Sequence, residues 1–336
     1  MTETIAVVGA GSWGTTLADL LAKKGNEVRL WSFEEEVTEA INTSRQNTVY
    51  LPDIELSENL TGTSDLEGAV RGASVIVSVS PSQHVRRVLE PAEPHVDPEA
   101  LVVSASKGIE TSTLETMADV LEDVLPRTRA RQHCFLSGPS FAAEVAREYP
   151  TAVTVASRDR TAARRAQELF QADYFRVYTS HDVTGVELGG ALKNVMALAA
   201  GMVAGLGFGH NTMAALITRG LAELTRLALA MGASERTLAG LSGMGDLILT
   251  CTGDLSRNRT VGYELGTGRS LDEVLNEMRM VAEGVETTRA TYELAQREGI
   301  DMPIVAEVHA VLFGGRSPEE AVRKLMLREP KPEFWA

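Results

Sequence analysis

From Ile5 to about Ser180, short β-branched apolar runs alternate with stretches whose apolar residues recur at helical spacing. This alternation predicts repeated strand–helix–strand units in a largely parallel sheet. The predicted strands are 5–8, 28–31, 74–79, 101–105, 134–136, 152–156 and 176–178. Between the first two, Leu17, Leu20 and Leu21 share one helix face, and Lys23-Lys24-Gly25 supplies a basic last turn and a glycine stop. After about His181 the strand signals cease, and the apolar period is helical through 188–206, 213–231, 287–298 and 304–313. The pattern predicts an α/β chain: a doubly wound sheet domain over residues 1–182, then an all-helical domain over 183–336. No Pro- or Gly-rich linker separates them, so a long helix near 183–206 should pack directly on the sheet domain and leave a ligand cleft between the halves. The tail 328–336, with Pro330 and Pro332, is expected to fray.

Length and charge narrow the function classes. A chain of 336 residues with 44% hydrophobic content can bury two cores without disulfide or metal staples. A formal charge of −14 disfavours nucleic acid and anionic membrane as general partners, so any anionic ligand requires a local basic pocket. Cys134 and Cys251 stand far apart and outside zinc-ligand spacing, which points to a reduced compartment, no disulfide framework and no metal site. The N-terminus enters a strand at once without the regions of a signal peptide, so the expected location is cytoplasmic. The most apolar stretch, 195–206, is interrupted by Gly201 and Gly205 and is shorter than the ~20 residues a spanning helix needs. It reads as a buried core helix, with no integral membrane association expected.

Gly9-Ala10-Gly11-Ser12-Trp13-Gly14 has G-x-G-x-x-G spacing between a strand and a helix. Gly9 serves the tight turn, Gly11 lets a pyrophosphate approach the backbone, and Gly14 permits close helix–strand packing, as in a Rossmann-like dinucleotide site. After the second strand, Phe33-Glu34-Glu35-Glu36 lies where the adenosine ribose is read. Three acids there would repel a 2′-phosphate and favour NAD(H) over NADP(H); an acidic helix start favoured by the helix dipole explains them equally well.

Further candidates lie at strand ends and in helices. Lys107 follows the strand 101–105, and Ser137-Gly138-Pro139-Ser140-Phe141-Ala142 follows the strand 134–136, so both face the ligand edge of the sheet. Gly189-Gly190-Ala191-Leu192-Lys193-Asn194 places two helix-weakening glycines and a lysine inside an apolar helix, consistent with close approach of backbone or cofactor, or with packing and a snorkelling lysine. Asp246 sits in a glycine-rich run, and Ser256-Arg257-Asn258-Arg259 opens a helix with Ser256 as N-cap and Arg257 able to fork a phosphate.

In this order and spacing the motifs resemble the bacterial NAD(P)-dependent glycerol-3-phosphate dehydrogenases, essentially end to end. The resemblance implies that the chain interconverts dihydroxyacetone phosphate and sn-glycerol 3-phosphate, supplying glycerophospholipid synthesis. It implies Lys193 as the proton-transfer residue, with Lys107, Gly138, Ser140, Asp246, Ser256, Arg257 and Asn258 around the glycerol phosphate. It places Ser12, Trp13, Phe33, Lys107, Ala142, Arg257, Val281 and Glu283 at the cofactor, beside Gly9, Gly11 and Gly14. A homodimer follows by analogy. Two departures stand out: Phe33, where relatives often carry a basic or polar residue, and Ser80-Pro81-Ser82-Gln83 in place of a common proline-serine-histidine run. The alternatives are a hydroxy-acid or ketopantoate-type dehydrogenase and a non-catalytic dinucleotide sensor. Lys107, Lys193 and Asp246 together argue against the sensor.

Overall fold

The computed structural model describes residues 2–278, 281–330 and 332–333. Eight strands form one sheet in the order β3-β2-β1-β4-β5-β6-β7-β8. They are β1 (Thr4–Val8), β2 (Glu27–Trp31), β3 (Leu60–Thr63), β4 (Val75–Ser78), β5 (Leu101–Ser104), β6 (Cys134–Ser137), β7 (Thr151–Ser157) and β8 (Phe175–Ser180). Neighbours from β3 to β6 pair parallel; β7 runs antiparallel to β6 and β8 runs parallel to β7. The order reverses between β1 and β4, which opens a crevice at the carboxyl ends of these two strands.

The sequence reading expects seven strands, and β3 is the one it misses. Leu60-Thr61-Gly62-Thr63 alternates buried and less buried positions at the sheet edge, so only Leu60 and Gly62 face the core. So short a run, with a glycine at one inward position, carries almost no β-branched apolar signal. Its glycine is required because the helix Glu35–Ser44 crosses it: a Cβ on Gly62 would lie 3.1 Å from the Thr38 carbonyl oxygen.

The helical half is organised around Val183–Gly205, whose start is capped by Asp182 accepting the Gly185 N–H at 2.9 Å. By length and composition this helix could span a bilayer, but 89% of its most apolar window is buried inside the protein. Val183 and Val186 pack with Met117, Val120 and Leu121 of the sheet half. Later turns join a second core containing Leu224, Leu227, Val261, Leu294 and Val305. Gly201 and Gly205 interrupt its apolar run for a packing reason. A Cβ on Gly201 would fall 2.0 Å from the Arg259 carbonyl oxygen, and one on Gly262 of the helix Arg257–Gly266 would fall 2.0 Å from that of Leu198. The two helices therefore touch backbone to backbone. In the tail, Arg328 pairs with Asp301 at 2.8 Å; residues 331 and 334–336, also expected to fray, lie outside the described residues.

Candidate active site

The glycine-rich loop joins β1 to the helix Ser12–Lys23. Gly9 has φ +120°, and a Cβ there would meet the Ser80 nitrogen at 2.9 Å; one on Gly14 would collide with the Gly9 carbonyl oxygen. Around Gly11 a Cβ would meet nothing within 4 Å. The first and third glycines are thus demanded by the fold, while the second opens onto free space beside an uncapped helix start, where the dipole is positive. Trp13 adds a buried indole N–H without a hydrogen-bond partner among the described residues. Thr16 donates its hydroxyl to the Ala142 carbonyl at 3.2 Å, tying this helix to the segment after β6, and Ser12 donates to the Tyr50 carbonyl at 2.5 Å. A crevice with an open glycine, an uncapped helix start and an unsatisfied indole fits a dinucleotide pyrophosphate and its flanking groups.

Beyond the sheet edge, three charged side chains from distant segments converge. Lys193 donates to Asp246 Oδ1 at 2.7 Å, and Lys107 donates to Asp246 Oδ2 at 2.8 Å and to the Gly138 carbonyl at 3.0 Å. Lys107 comes from the loop after β5, whereas Lys193 and Asp246 belong to the helical half. Asp246 is 1% exposed and Lys193 7%, so one carboxylate shared between two ammonium groups settles charges that could not be buried singly. Burial pulls the Lys193 pKa below the ordinary lysine value; Asp246 opposes this and the neighbouring Lys107 charge reinforces it.

Local folding explains the convergence. Leu241–Gly245 forms a π-helical turn directly before the helix Asp246–Thr252, which delivers Asp246 to the side of the core helix. Gly189 makes room for this turn, since a Cβ there would lie 2.5 Å from the Ser242 carbonyl oxygen. A Cβ on Gly190 would lie 2.4 Å from the Ser137 hydroxyl and 3.6 Å from Lys107 Cδ. Both glycines are therefore explained by close approach of neighbouring protein.

A second chain of contacts links the remaining candidates. Asn258 accepts the Gly284 N–H at 2.9 Å, and next to it Glu283 accepts the Ser82 N–H at 2.9 Å, joining the helical half to the turn after β4. Burial raises the Glu283 pKa, with the Ser82 N–H and the Arg257 and Lys193 charges opposing. Ser256 caps its helix, as expected, by accepting the Arg259 N–H at 3.3 Å. Arg257 is exposed, and its side chain makes no hydrogen bond among the described residues. Ser140 bonds locally, donating to the Gly138 carbonyl at 3.1 Å. Val281 is 52% exposed, and Met280, quoted in the same motif, lies outside the described residues. Phe33 stands apart from the cluster at 82% exposure.

Sequence reasoning misses Thr250 and Tyr50. Thr250 accepts from Lys193 at 2.8 Å while donating its own hydrogen to the Asp246 carbonyl at 2.6 Å. Its position four residues after Asp246 on one helix face is the signal that could have found it. Tyr50 donates to Glu34 Oε1 at 2.8 Å, and no local pattern announces that contact.

Comparison with known proteins agrees along the whole chain. A family model described as the N-terminus of NAD-dependent glycerol-3-phosphate dehydrogenase matches residues 4–163, and one described as its C-terminus matches residues 182–323. The glycerol-3-phosphate dehydrogenase (NAD(P)+) of Citrifermentans bemidjiense is 58% identical over 333 residues, covering 99% of both chains. That of Geobacter sulfurreducens is 57% identical over 335 residues, covering 100% of both. The crystal structure of glycerol-3-phosphate dehydrogenase from Coxiella burnetii superposes with a TM-score of 0.93 at 38% identity, covering 97% of this chain and 99% of that one.

Proposed function

The chain belongs to the NAD-dependent glycerol-3-phosphate dehydrogenase family, and from that premise we propose that it interconverts dihydroxyacetone phosphate and sn-glycerol 3-phosphate, with Lys193 exchanging the proton of the C2 oxygen. The observation that carries this reading is the Lys193–Asp246–Lys107 bridge, which sets a buried, pKa-lowered amine where the two halves meet. When bound, the nicotinamide ring supplies or accepts the hydride at that carbon.

An ammonium has three donors. Lys193 commits one to Asp246 and one to Thr250, which leaves a third for the substrate oxygen. In the reducing direction that donor gives up its proton as the alcohol forms, and burial with Lys107 nearby makes the release easier than from a solvated lysine. In the oxidising direction the neutral amine takes the proton back. Asp246 keeps Lys193 aimed, and Thr250 fixes its second donor. Arg257, with the helix start that Ser256 caps and with Asn258 beside it, holds the remote phosphate, and this distant binding positions C2. Gly138 and Ser140 border the substrate; Gly9, Gly11, Ser12, Trp13, Gly14, Phe33, Ala142, Val281 and Glu283 hold the dinucleotide.

The sheet domain spans residues 1–182 and the helical domain 183–336, and the enzyme works in the cytoplasm as a homodimer that prefers NADH and feeds glycerophospholipid synthesis. The test follows absorbance of NADH and NADPH, each mixed in turn with the protein and dihydroxyacetone phosphate. Oxidation with this substrate and none with non-phosphorylated hydroxy-acid precursors supports the reading; the reverse pattern overturns it.

A further inference from the structure

Lys107 reaches Asp246 from a loop, and a long flexible side chain can hold two partners only if its backbone is fixed. The fixing groups lie in the turn after β4. Upstream of Lys107, Ser106 donates its hydroxyl to the Ser80 carbonyl at 2.6 Å. Downstream, Gln83 Nε2 donates to the Ile109 carbonyl at 2.7 Å, while Gln83 Oε1 accepts the Thr111 N–H at 3.0 Å and the Thr111 hydroxyl at 2.9 Å. Between these anchors Gly108 rests on the same turn, where a Cβ would fall 2.1 Å from the Ser82 hydroxyl. The turn in its own right is braced from the helical half by the Ser82 N–H on Glu283.

From this arrangement we infer that Gln83 is a positioning residue of the proposed reaction: its amide clamps the loop 106–111 so that the Lys107 ammonium meets Asp246 beside Lys193. Gln83 does not itself touch Lys107, Lys193 or Asp246 through any hydrogen bond, so it acts through the loop backbone. Both faces of the amide are used, which a hydrophobic residue of similar size cannot imitate and a carboxylate imitates only in part.

The inference rests on the activity proposed above, and the experiment separates the two. Gln83→Leu removes the three hydrogen bonds to Ile109 and Thr111, and the long one of 3.5 Å from Nε2 to the Ser82 hydroxyl, with little change of volume; Gln83→Glu keeps the acceptor for Thr111 and loses the donor to Ile109. With dihydroxyacetone phosphate and NADH, Gln83→Leu lowers kcat roughly tenfold or more, as a small misplacement of a reacting group does. The variant stays folded at the assay temperature, and Gln83→Glu recovers part of kcat. The pH profile moves too. The groups that set the Lys193 pKa besides burial are Asp246 and Cys251, which raise it, and Lys107, which lowers it; Glu283 also senses the Lys193 charge. Displacing Lys107 raises the Lys193 pKa, so the alkaline limb of the reduction profile shifts upward in Gln83→Leu. A Gln83→Leu protein with wild-type kcat and an unmoved limb overturns the clamp, as does a kcat loss that merely follows a lower melting temperature. If the wild-type chain leaves NADH unoxidised, the proposed activity fails, and the role of Gln83 with it.

Discussion

The Lys193 ammonium lies 2.7 Å from the Asp246 carboxylate in a pocket where both side chains are almost wholly buried. Removing one partner of such a pair strands the other charge. In Asp246→Asn, Lys193 loses the group that props up its pKa while burial and Lys107 continue to depress it. The ammonium that the proposed reduction uses is then lost at lower pH, so the alkaline limb moves down, opposite to the shift for Gln83→Leu. Loss of aim at the substrate oxygen lowers kcat by roughly 10²-fold or more. The check is kcat for dihydroxyacetone phosphate reduction across pH 6–10; an Asn variant with an unshifted limb removes Asp246 from the pKa argument.

Gly189→Ala sets helix propensity against sterics. Alanine ordinarily stabilises a helix interior by up to ~1 kcal/mol over glycine. Here its Cβ would meet the Ser242 carbonyl oxygen at 2.5 Å and the carbonyl carbon at 2.9 Å, and backbone cannot rotate away. Overpacking of this kind costs about 1–3 kcal/mol, so the clash wins. The displaced turn leads into Asp246, so activity falls with stability. Gly190→Ala is milder, because the obstacle at 2.4 Å is the Ser137 hydroxyl, part of a side chain that can turn. Thermal melts and turnover of both variants check this; a more stable, fully active Gly189→Ala would contradict it.

The same residues show what a single sequence discloses. The loop Gly9–Gly14 is legible because its spacing sits between a strand and a helix, where Gly9 and Gly14 have backbone duties and Gly11 leaves open space. The anomaly of Lys193 is legible because a cation inside an apolar helix conflicts with its neighbours, while its proposed proton-transfer role comes from the resemblance. Thr250, Ser82 and Gln83 carry no such conflict. Their roles arise from contacts spanning 57, 201 and 28 positions of sequence, which only the closed fold creates. The glycine pair at 189 and 190 lies between these cases: the anomaly is visible, but its cause requires the π-helical turn that presses on Gly189 and the Ser137 side chain that presses on Gly190.

Glu223 supplies a pH dependence unrelated to catalysis. Its buried carboxylate accepts the Ile304 N–H at 2.9 and 3.0 Å and the Val305 N–H at 3.4 Å, capping the helix Pro303–Phe313. Burial raises its pKa from 4.5 to about 7 despite these donors and Arg226. Between about pH 4.5 and 7 the folded chain therefore holds a proton that the unfolded chain has released. Stability falls as pH rises through that window and levels above it, by on the order of 3 kcal/mol. Glu223→Gln removes the titration while an amide oxygen still receives the Ile304 N–H, so the variant melts higher than wild type at pH 8 and close to it at pH 5. Parallel melting curves for the two proteins across this range would contradict the assignment.

The proposed cofactor preference rests on the acid after β2. Glu34 receives the Tyr50 hydroxyl at 2.8 Å and the Ser32 hydroxyl at 3.1 Å, so its carboxylate is held in place rather than left to swing into solvent. Burial and Glu34 raise the Tyr50 pKa to about 12, which keeps the phenol a donor at neutral pH. Glu35 and Glu36 open the next helix beside it. A 2′-phosphate entering this corner would face the fixed Glu34 charge, and the neighbouring position supplies Phe33, at 82% exposure, in place of a cation. Changing that balance needs little of the fold: Phe33 has almost no packing to lose, and a guanidinium there can fork a phosphate. Phe33→Arg combined with Glu34→Gln should raise the ratio of kcat/KM for NADPH over NADH by roughly tenfold or more, since it removes a repulsion and adds an attraction near the surface. Most of that gain should vanish at high salt, where exposed charges are screened. A wild-type protein that already prefers NADPH, or a double variant whose ratio stays put, would show that the three acids merely begin a helix.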